Sequence, residues 1–257
     1  MNFTAAGLSD VGLQREHNED SYCILSEHRL FVVADGMGGH RAGDVASRMA
    51  TSEMTAFFDA TDANGQGLDW PTKDESRMTP DQRRLVASVK LANQRIFQAS
   101  IRNRSVQGMG TTVVGILYNR DERKINVAHV GDSRAYRVRD GKITQLTRDH
   151  SLLNDYLLVM PNLSDAQKER LPSNVITRAL GMQQAVAVDV SVDDVEPGDI
   201  YLLCSDGLNG MVRDERIREI LHEAGPDVEA AAKTLVSQAN QNGGEDNTTV
   251  VVVRITD

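Results

Sequence analysis

A chain of 257 residues is long enough for one large domain or two small ones with a sizeable core. Its net charge of −9 argues against general affinity for nucleic acid or anionic lipid, and its two cysteines, Cys23 and Cys204, supply neither a secreted disulfide framework nor a Cys/His zinc pattern. Residues 1–13 lack a basic start and a long apolar core, and no apolar run reaches bilayer length, so a soluble cytoplasmic protein without membrane contact is expected.

Residues 4–8 and 21–25 read as short strands, and Leu30-Phe31-Val32-Val33-Ala34 as a buried strand running straight into Asp35-Gly36-Met37-Gly38-Gly39-His40. A helix is predicted over 42–58, then a polar surface insertion over 59–77. Thr79-Pro80-Asp81-Gln82 is a helix start, with a capping threonine, a first-turn proline and Gln82 completing a capping box. Leu85, Val89, Ala92 and Ile96 then recur at helical spacing as a core-facing stripe. The pattern turns to strands over 111–118, 124–130 and 134–138, with Asp140-Gly141 as a hairpin signal. Residues 150–176 lack a clear period, and only 164–170 suggests a short helix. Strands return at 186–192 and 200–204, two helices fill 213–242, and a strand over 248–255 follows. Strand blocks broken by long helices, with several hairpins, predict an α+β sandwich forming a single domain over 1–257, and no internal repeat or interdomain linker is visible.

The informative feature is where the acids sit. Glu19 and Asp20 precede one strand and Asp35 ends the next; an antiparallel hairpin would bring them to one rim. Asp206 follows the strand at 200–204 and Asp246 precedes the strand at 248–255, so pairing those two would do the same, while Asp132 sits at the break between Val130 and Arg134. Any single Asp-Gly pair, taken alone, reads better as a turn former. The set reads better as a cation site, because crowded carboxylates repel unless a cation neutralises them. Oxygen ligands without a Cys or His set point to a hard ion, Mg²⁺ or Mn²⁺.

These residues carry a resemblance. Arg15-Glu16-His17-Asn18-Glu19-Asp20, Asp35-Gly36-Met37-Gly38-Gly39-His40, Gly110-Thr111-Thr112, Val130-Gly131-Asp132-Ser133-Arg134, Asp149-His150-Ser151, Thr177-Arg178-Ala179-Leu180-Gly181, Ser205-Asp206-Gly207-Leu208 and Asp246-Asn247-Thr248-Thr249-Val250 resemble, in order and over nearly the whole chain, the motifs of metal-dependent type 2C (PPM) protein serine/threonine phosphatases. The Asp-Gly-Met-Gly-Gly-His form resembles the compact prokaryotic branch. The resemblance implies a four-layer α-β-β-α sandwich of two mainly antiparallel sheets, with a flap at 150–176. It implies hydrolysis of phosphoserine and phosphothreonine by a water activated by two Mn²⁺ or Mg²⁺ ions. Asp35 would bridge them, the Gly36 carbonyl would bind the first, and Glu19, Asp206 and Asp246 would serve the second. Asp20 would hold metal-bound waters, Asp132 with Asp206 would form a weaker third site, and Arg15, otherwise read as surface charge, would grip phosphate. The implied partners are phosphorylated proteins, substrates of serine/threonine kinases or the kinases themselves, in signalling.

The chain departs from eukaryotic members, which carry a histidine, a candidate general acid, where Met37 stands. His40, three residues on, could substitute, or a metal-bound water could donate the proton. His129 and His150 read as structural, His150 as positioning the start of the flap. Cys23 and Arg29 match the spacing of cysteine-dependent phosphatases, but the intervening residues 24–28 contain no glycine and lead into a strand, so the match is coincidence. Tyr156-Leu157-Leu158-Val159-Met160 reads as packing onto the core, with a docking surface as the alternative. Two rival functions stay open: a phosphatase-fold binding module without turnover, whose signature would be a lost ligand, and a small-molecule metal phosphohydrolase with a deeper cleft.

Overall fold

Runs of β-branched and aliphatic residues form two antiparallel sheets that stack face to face. In the computed structural model, residues 1–38, 42–61, 78–164, 167, 171–172 and 175–257 are described. One sheet orders β1 (Asn2–Asp10), β11 (Thr248–Thr256), β10 (Ile200–Cys204), β7 (Arg134–Arg139) and β8 (Lys142–Gln145) side by side. The other orders β2 (Asp20–Leu25), β3 (Leu30–Met37), β5 (Val113–Asn119), β6 (Lys124–Val130) and β9 (Asp189–Asp194), with the short β4 (Gly110–Thr111) on the end of β3.

Three apolar layers explain why the central strands read as unbroken apolar runs. In β3, Phe31 and Val33 face the opposing sheet, while Leu30, Val32 and Ala34 face helices α1 (Ala42–Ala60) and α2 (Pro80–Arg102). In β11, Val251, Val253 and Ile255 enter the layer between the sheets, and Val250 and Val252 face α5 (Asp214–Glu223) and α6 (Val228–Gln241). Both faces of these strands are dry, which gives the four-layer α-β-β-α sandwich. The stripe Leu85, Val89, Ala92 and Ile96 is fully buried, and the expected capping box opens α2, with Thr79 Oγ1 accepting from Gln82 N at 3.3 Å and Thr79 N donating to Gln82 Oε1 at 3.0 Å.

Three expectations need correction. The segment after residue 150 is not irregular at its start: Ser151 caps α3 (Leu152–Val159) by accepting from Asn154 N. Most of the expected helix at 164–170, like most of the insertion at 59–77, lies outside the described residues. The strand expected at 186–192 runs instead over Asp189–Asp194, where Val190 and Val192 pair across to Ala128 and Asn126. The apolar run at 156–160 does not pack onto the core: Leu157 is half-buried, and Tyr156, Leu158, Val159 and Met160 are exposed, Val159 to 81%.

Candidate active site

The hairpin of β2 and β3 sets Asp20 directly opposite Asp35, with Glu19 one residue before the pairing begins. Asp35 is not a turn residue. β3 continues through it to Met37, and its backbone is fixed on the far side, where its carbonyl accepts from Thr112 N and Thr111 Oγ1, both at 2.8 Å. Gly36 is needed for close approach: a Cβ there would lie 2.2 Å from the Gly43 carbonyl oxygen and 2.5 Å from that of Glu19. The Gly36 N–H donates to the Glu19 carbonyl at 3.1 Å, which draws the start of α1, Glu19 and Asp35 together.

The second sheet contributes the facing rim. β10 ends at Cys204, Ser205 follows, and Asp206 opens the single-turn helix α4 (Asp206–Asn209). Asp246 stands two residues before β11, the neighbour of β10. Asn247 ties the rims together: its Oδ1 accepts from Glu19 N at 2.7 Å, while its Nδ2 donates to the Val11 and His17 carbonyls at 2.9 Å. Gly207 packs against the Asn247 carbonyl, where a Cβ would sit 2.1 Å from the oxygen. Ser205 Oγ crosses between sheets to donate to Asp20 Oδ2 at 2.8 Å.

Arg15, Asp132, Asp206 and Asp246 line one cleft of about 490 Å³, together with Arg134, Asp149, Ser151 and Glu245. Asp35 and Asp20 lie against the same group, since Asp20, Asp206, Asp132 and Asp246 all repel a charge on Asp35. Burial first, then those neighbours, holds the Asp35 carboxyl well above the usual range. Burial likewise pushes Asp20 up to about 7 despite hydrogen bonds from Thr249 and Ser205, and pushes Asp132, beside Asp206, to about 7. Glu19 is raised by burial and then by Asp44, and Asp206 by burial and then by Asp246. Asp20 Oδ1, Asp132 Oδ1 and Asp44 Oδ1 are buried without a hydrogen-bond partner among the described residues. A cluster of repelling carboxylates with unpartnered buried oxygens, and no thiolate or imidazole among them, fits a hard divalent cation.

Arg15 sits at the mouth of this cleft, where its NH2 pairs with Asp246 Oδ2 at 2.6 Å and its side chain is 53% exposed. His40 lies outside the described residues. Cys23 stands apart from the acid cluster: it lies against the α1 residues Thr51 and Thr55, and burial pushes its thiol up to about 11, which disfavours the nucleophilic thiolate. Sequence reasoning overlooked Asn247, Ser205 and Asp44 as site residues. Asn247 and Ser205 stood beside the acids inside the quoted motifs, whereas Asp44 carried no signal beyond its place in the first turn of α1.

Two stacked antiparallel sheets that meet at a carboxylate-lined rim, each supplying part of the acid cluster, fit a hard-cation centre of the phosphohydrolase kind. Comparison with known proteins agrees. The profile of the protein phosphatase 2C family matches residues 14–243. The chain is 36% identical over 255 residues to the serine/threonine protein phosphatase PstP of Mycobacterium tuberculosis, covering 98% of this chain and 45% of that protein, so it spans about half the length of that relative. It is 35% identical over 248 residues to the serine/threonine phosphatase stp of Listeria monocytogenes, covering 95% of this chain and 93% of that protein. The crystal structure of the catalytic domain of a serine/threonine protein phosphatase PstP in complex with two manganese ions superposes with a TM-score of 0.81 at 35% identity, covering 99% of each chain. The chain belongs to the protein phosphatase 2C family.

Proposed function

We propose that this chain is a metal-dependent protein serine/threonine phosphatase, acting as one catalytic domain over 1–257 on phosphoserine and phosphothreonine. The convergence of Asp20, Asp35, Asp132, Asp206 and Asp246 from two sheets, with two buried carboxylate oxygens left without partners, carries this reading. The Asp35 carboxylate and Gly36 carbonyl, with Glu19, Asp206 and Asp246, would hold two divalent cations, Mn²⁺ or Mg²⁺, and Asp132 with Asp206 would hold a weaker third. Such cations make water nucleophilic at neutral pH and screen charge on the phosphoryl oxygens during in-line displacement.

The chain's own groups do the rest. Arg15 exchanges its contact with Asp246 for a phosphate, whose oxygens match the guanidinium fork. Asp20, fixed by Ser205 through one oxygen, keeps Oδ1 free to accept a hydrogen bond from water in the site. Water supplies the new P–O bond and loses a proton, the ester P–O bond breaks, and the departing serine alkoxide takes a proton. His40 and water are the two candidate donors. Loss of His40 as an acid lowers kcat for a phosphoserine peptide but far less for p-nitrophenyl phosphate, whose leaving group is stable as an anion. Equal losses in His40→Ala would assign proton donation to water.

Phosphorylated proteins are the substrates on this reading, among them the kinases that oppose the enzyme. A cytoplasmic setting is consistent with both cysteines being free, and among the described residues no helix is long and apolar enough to cross a membrane. The test is hydrolysis of a phosphoserine peptide with EDTA, then with added Mn²⁺. EDTA is expected to abolish turnover and Mn²⁺ to restore it. Turnover that survives EDTA would overturn the metal mechanism, and metal binding without turnover would make the chain a binding module.

A further inference from the structure

His150 is a buried, well-connected side chain that the proposed chemistry does not use. It is 6% exposed and stands between Asp149 and Ser151, both of which line the catalytic cleft. It is bound to Gly131 twice: its own N–H donates to the Gly131 carbonyl at 2.9 Å, and its ring Nδ1 accepts from the Gly131 N–H at 3.0 Å. Its carbonyl accepts from Thr177 N at 2.8 Å, closing the root of the segment that carries α3. On the other side of the ring, Nε2 lies 3.3 Å from Asp189 Oδ2 on β9 and 3.0 Å from Arg178 NH1, which itself donates to Asp189 Oδ1 at 2.6 Å. The His129 ring, from β6, stacks on it at 4.6 Å between centroids.

The donor at Gly131 fixes the tautomer. An imidazole nitrogen that accepts an N–H carries no proton, so the neutral ring bears its hydrogen on Nε2, directed at Asp189. Arg178, a donor only, then touches Nε2 without a hydrogen bond and directs its N–H groups at Asp189 and the Ala187 carbonyl. Burial and the neighbouring His129 favour this neutral form. His129, His150 and Asp189 bring ligand atoms within 4.8 Å of one another, but with Nε2 protonated and Nδ1 engaged His150 has no lone pair for a metal, and Arg178 already serves as the cation on Asp189. The cluster is therefore a hydrogen-bonded clasp.

What the clasp grips is the residue before Asp132. Gly131 holds φ at +111°, and a Cβ there would meet Thr112 Cβ at 2.6 Å, so Thr112 walls one side of the turn while His150 clasps its backbone. Asp132 Oδ1 is buried without a partner, so its direction depends on the backbone that bears it. We infer that His150 is a positioning residue: held by Asp189 as the Nε2–H tautomer, it fixes the Gly131 N–H and so aims the Asp132 carboxylate into the cleft. This rests on the reading of Asp132 as a ligand of the third cation, and it assigns Arg178 and Asp189 an indirect part in that site.

Asparagine and glutamine separate this role from packing. In His150→Asn the side-chain oxygen takes the place of Nδ1 and keeps the Gly131 bond, while His150→Gln reaches only the Nε2 position. The expected result is that His150→Gln weakens the Asp132-dependent step of a calorimetric Mn²⁺ titration by about 10–100-fold, the range for residues that orient metal ligands. His150→Asn is expected to retain it, and His150→Gln to add nothing in an Asp132→Asn background. Long-range ¹H–¹⁵N spectra of the wild-type chain report the tautomer directly and need no variant to fold. Protonated Nδ1 there, or equal behaviour of the two His150 variants beside a strong Asp132→Asn effect, would overturn the inference alone. A silent Asp132→Asn would overturn the ligand assignment first and the inference with it.

Discussion

At the scale of single residues, the two Asp-Gly pairs were visible in the sequence as candidate ligands, but the reason for each glycine was not. Asp-Gly commonly marks a turn, yet Gly36 lies within β3 and Gly207 within α4, and neither has a positive φ. Both are glycine because a neighbouring backbone carbonyl lies where a Cβ would go, a fact of tertiary packing that one sequence does not display. Gly36→Ala is accordingly expected to destabilise the fold by about 1–3 kcal/mol, as overpacking does, and to weaken Mn²⁺ binding by pushing α1 from Asp35. Denaturant unfolding and calorimetry check this, and a variant of wild-type stability would contradict the close approach. Asp35→Asn is expected to remove nearly all turnover together with tight metal binding. Arg15→Ala should instead raise KM by about 10–100-fold, the worth of one charge-assisted hydrogen bond of ~1.5–3 kcal/mol, with a smaller fall in kcat. Steady-state kinetics with a phosphopeptide distinguish the two variants.

Among the elements, those that face a core on both sides were the most legible. β3 and β11 announced themselves as apolar runs, and the stripe and capping box of α2 marked a helix from its first residue. α3 escaped because its surroundings do not impose a period: Leu152, Leu153 and Leu157 are only half-buried, and the apolar residues beside them face solvent. Its start was nonetheless written in Ser151, a capping residue, followed by Asp155 in the first turn. Solvent exposure makes an energetic prediction. Leu158→Ser and Val159→Ser should change stability by no more than about 0.5 kcal/mol, whereas Leu85→Ala, in the fully buried stripe of α2, should cost about 2–5 kcal/mol. Urea titrations of the three variants check the contrast, and a large loss at Val159 would mean that α3 packs more tightly than its exposure indicates.

For the molecule as a whole, the acids couple stability to pH and to metal. Asp20 and Asp132, both raised to about 7, and Asp35, also raised, bind protons in the cation-free fold that the unfolded chain has already released. Between about pH 4 and pH 7 the native state therefore carries more protons than the unfolded one, and the contribution of these groups falls as pH rises. A bound cation competes with those protons. The gain in Tm from Mn²⁺ over EDTA is expected to widen from about pH 5 to pH 8. Thermal melts across that range decide it, and a gain independent of pH would place the metal elsewhere. An α+β sandwich was readable from the order of strand and helix blocks, its four layers from the family resemblance, and the pairing of β2 with β3 and of β10 with β11 from the placing of the acids. The full sheet order was not, because it depends on contacts across most of the chain, such as β1 beside β11. That order has a mechanical meaning. Asp35 hangs from one sheet, Asp206 and Asp246 from the other, and Asp132 from the short link between β6 and β7 that joins them, so an ion among them would be a rivet through the edge of two plates. Fastening one edge stops the plates sliding there and leaves the opposite edge, with the tips at residues 26–29 and 120–123, free to breathe. Amide exchange at Ser21, Ala34, Cys204 and Val250 should slow when Mn²⁺ is added, while the tips exchange as before.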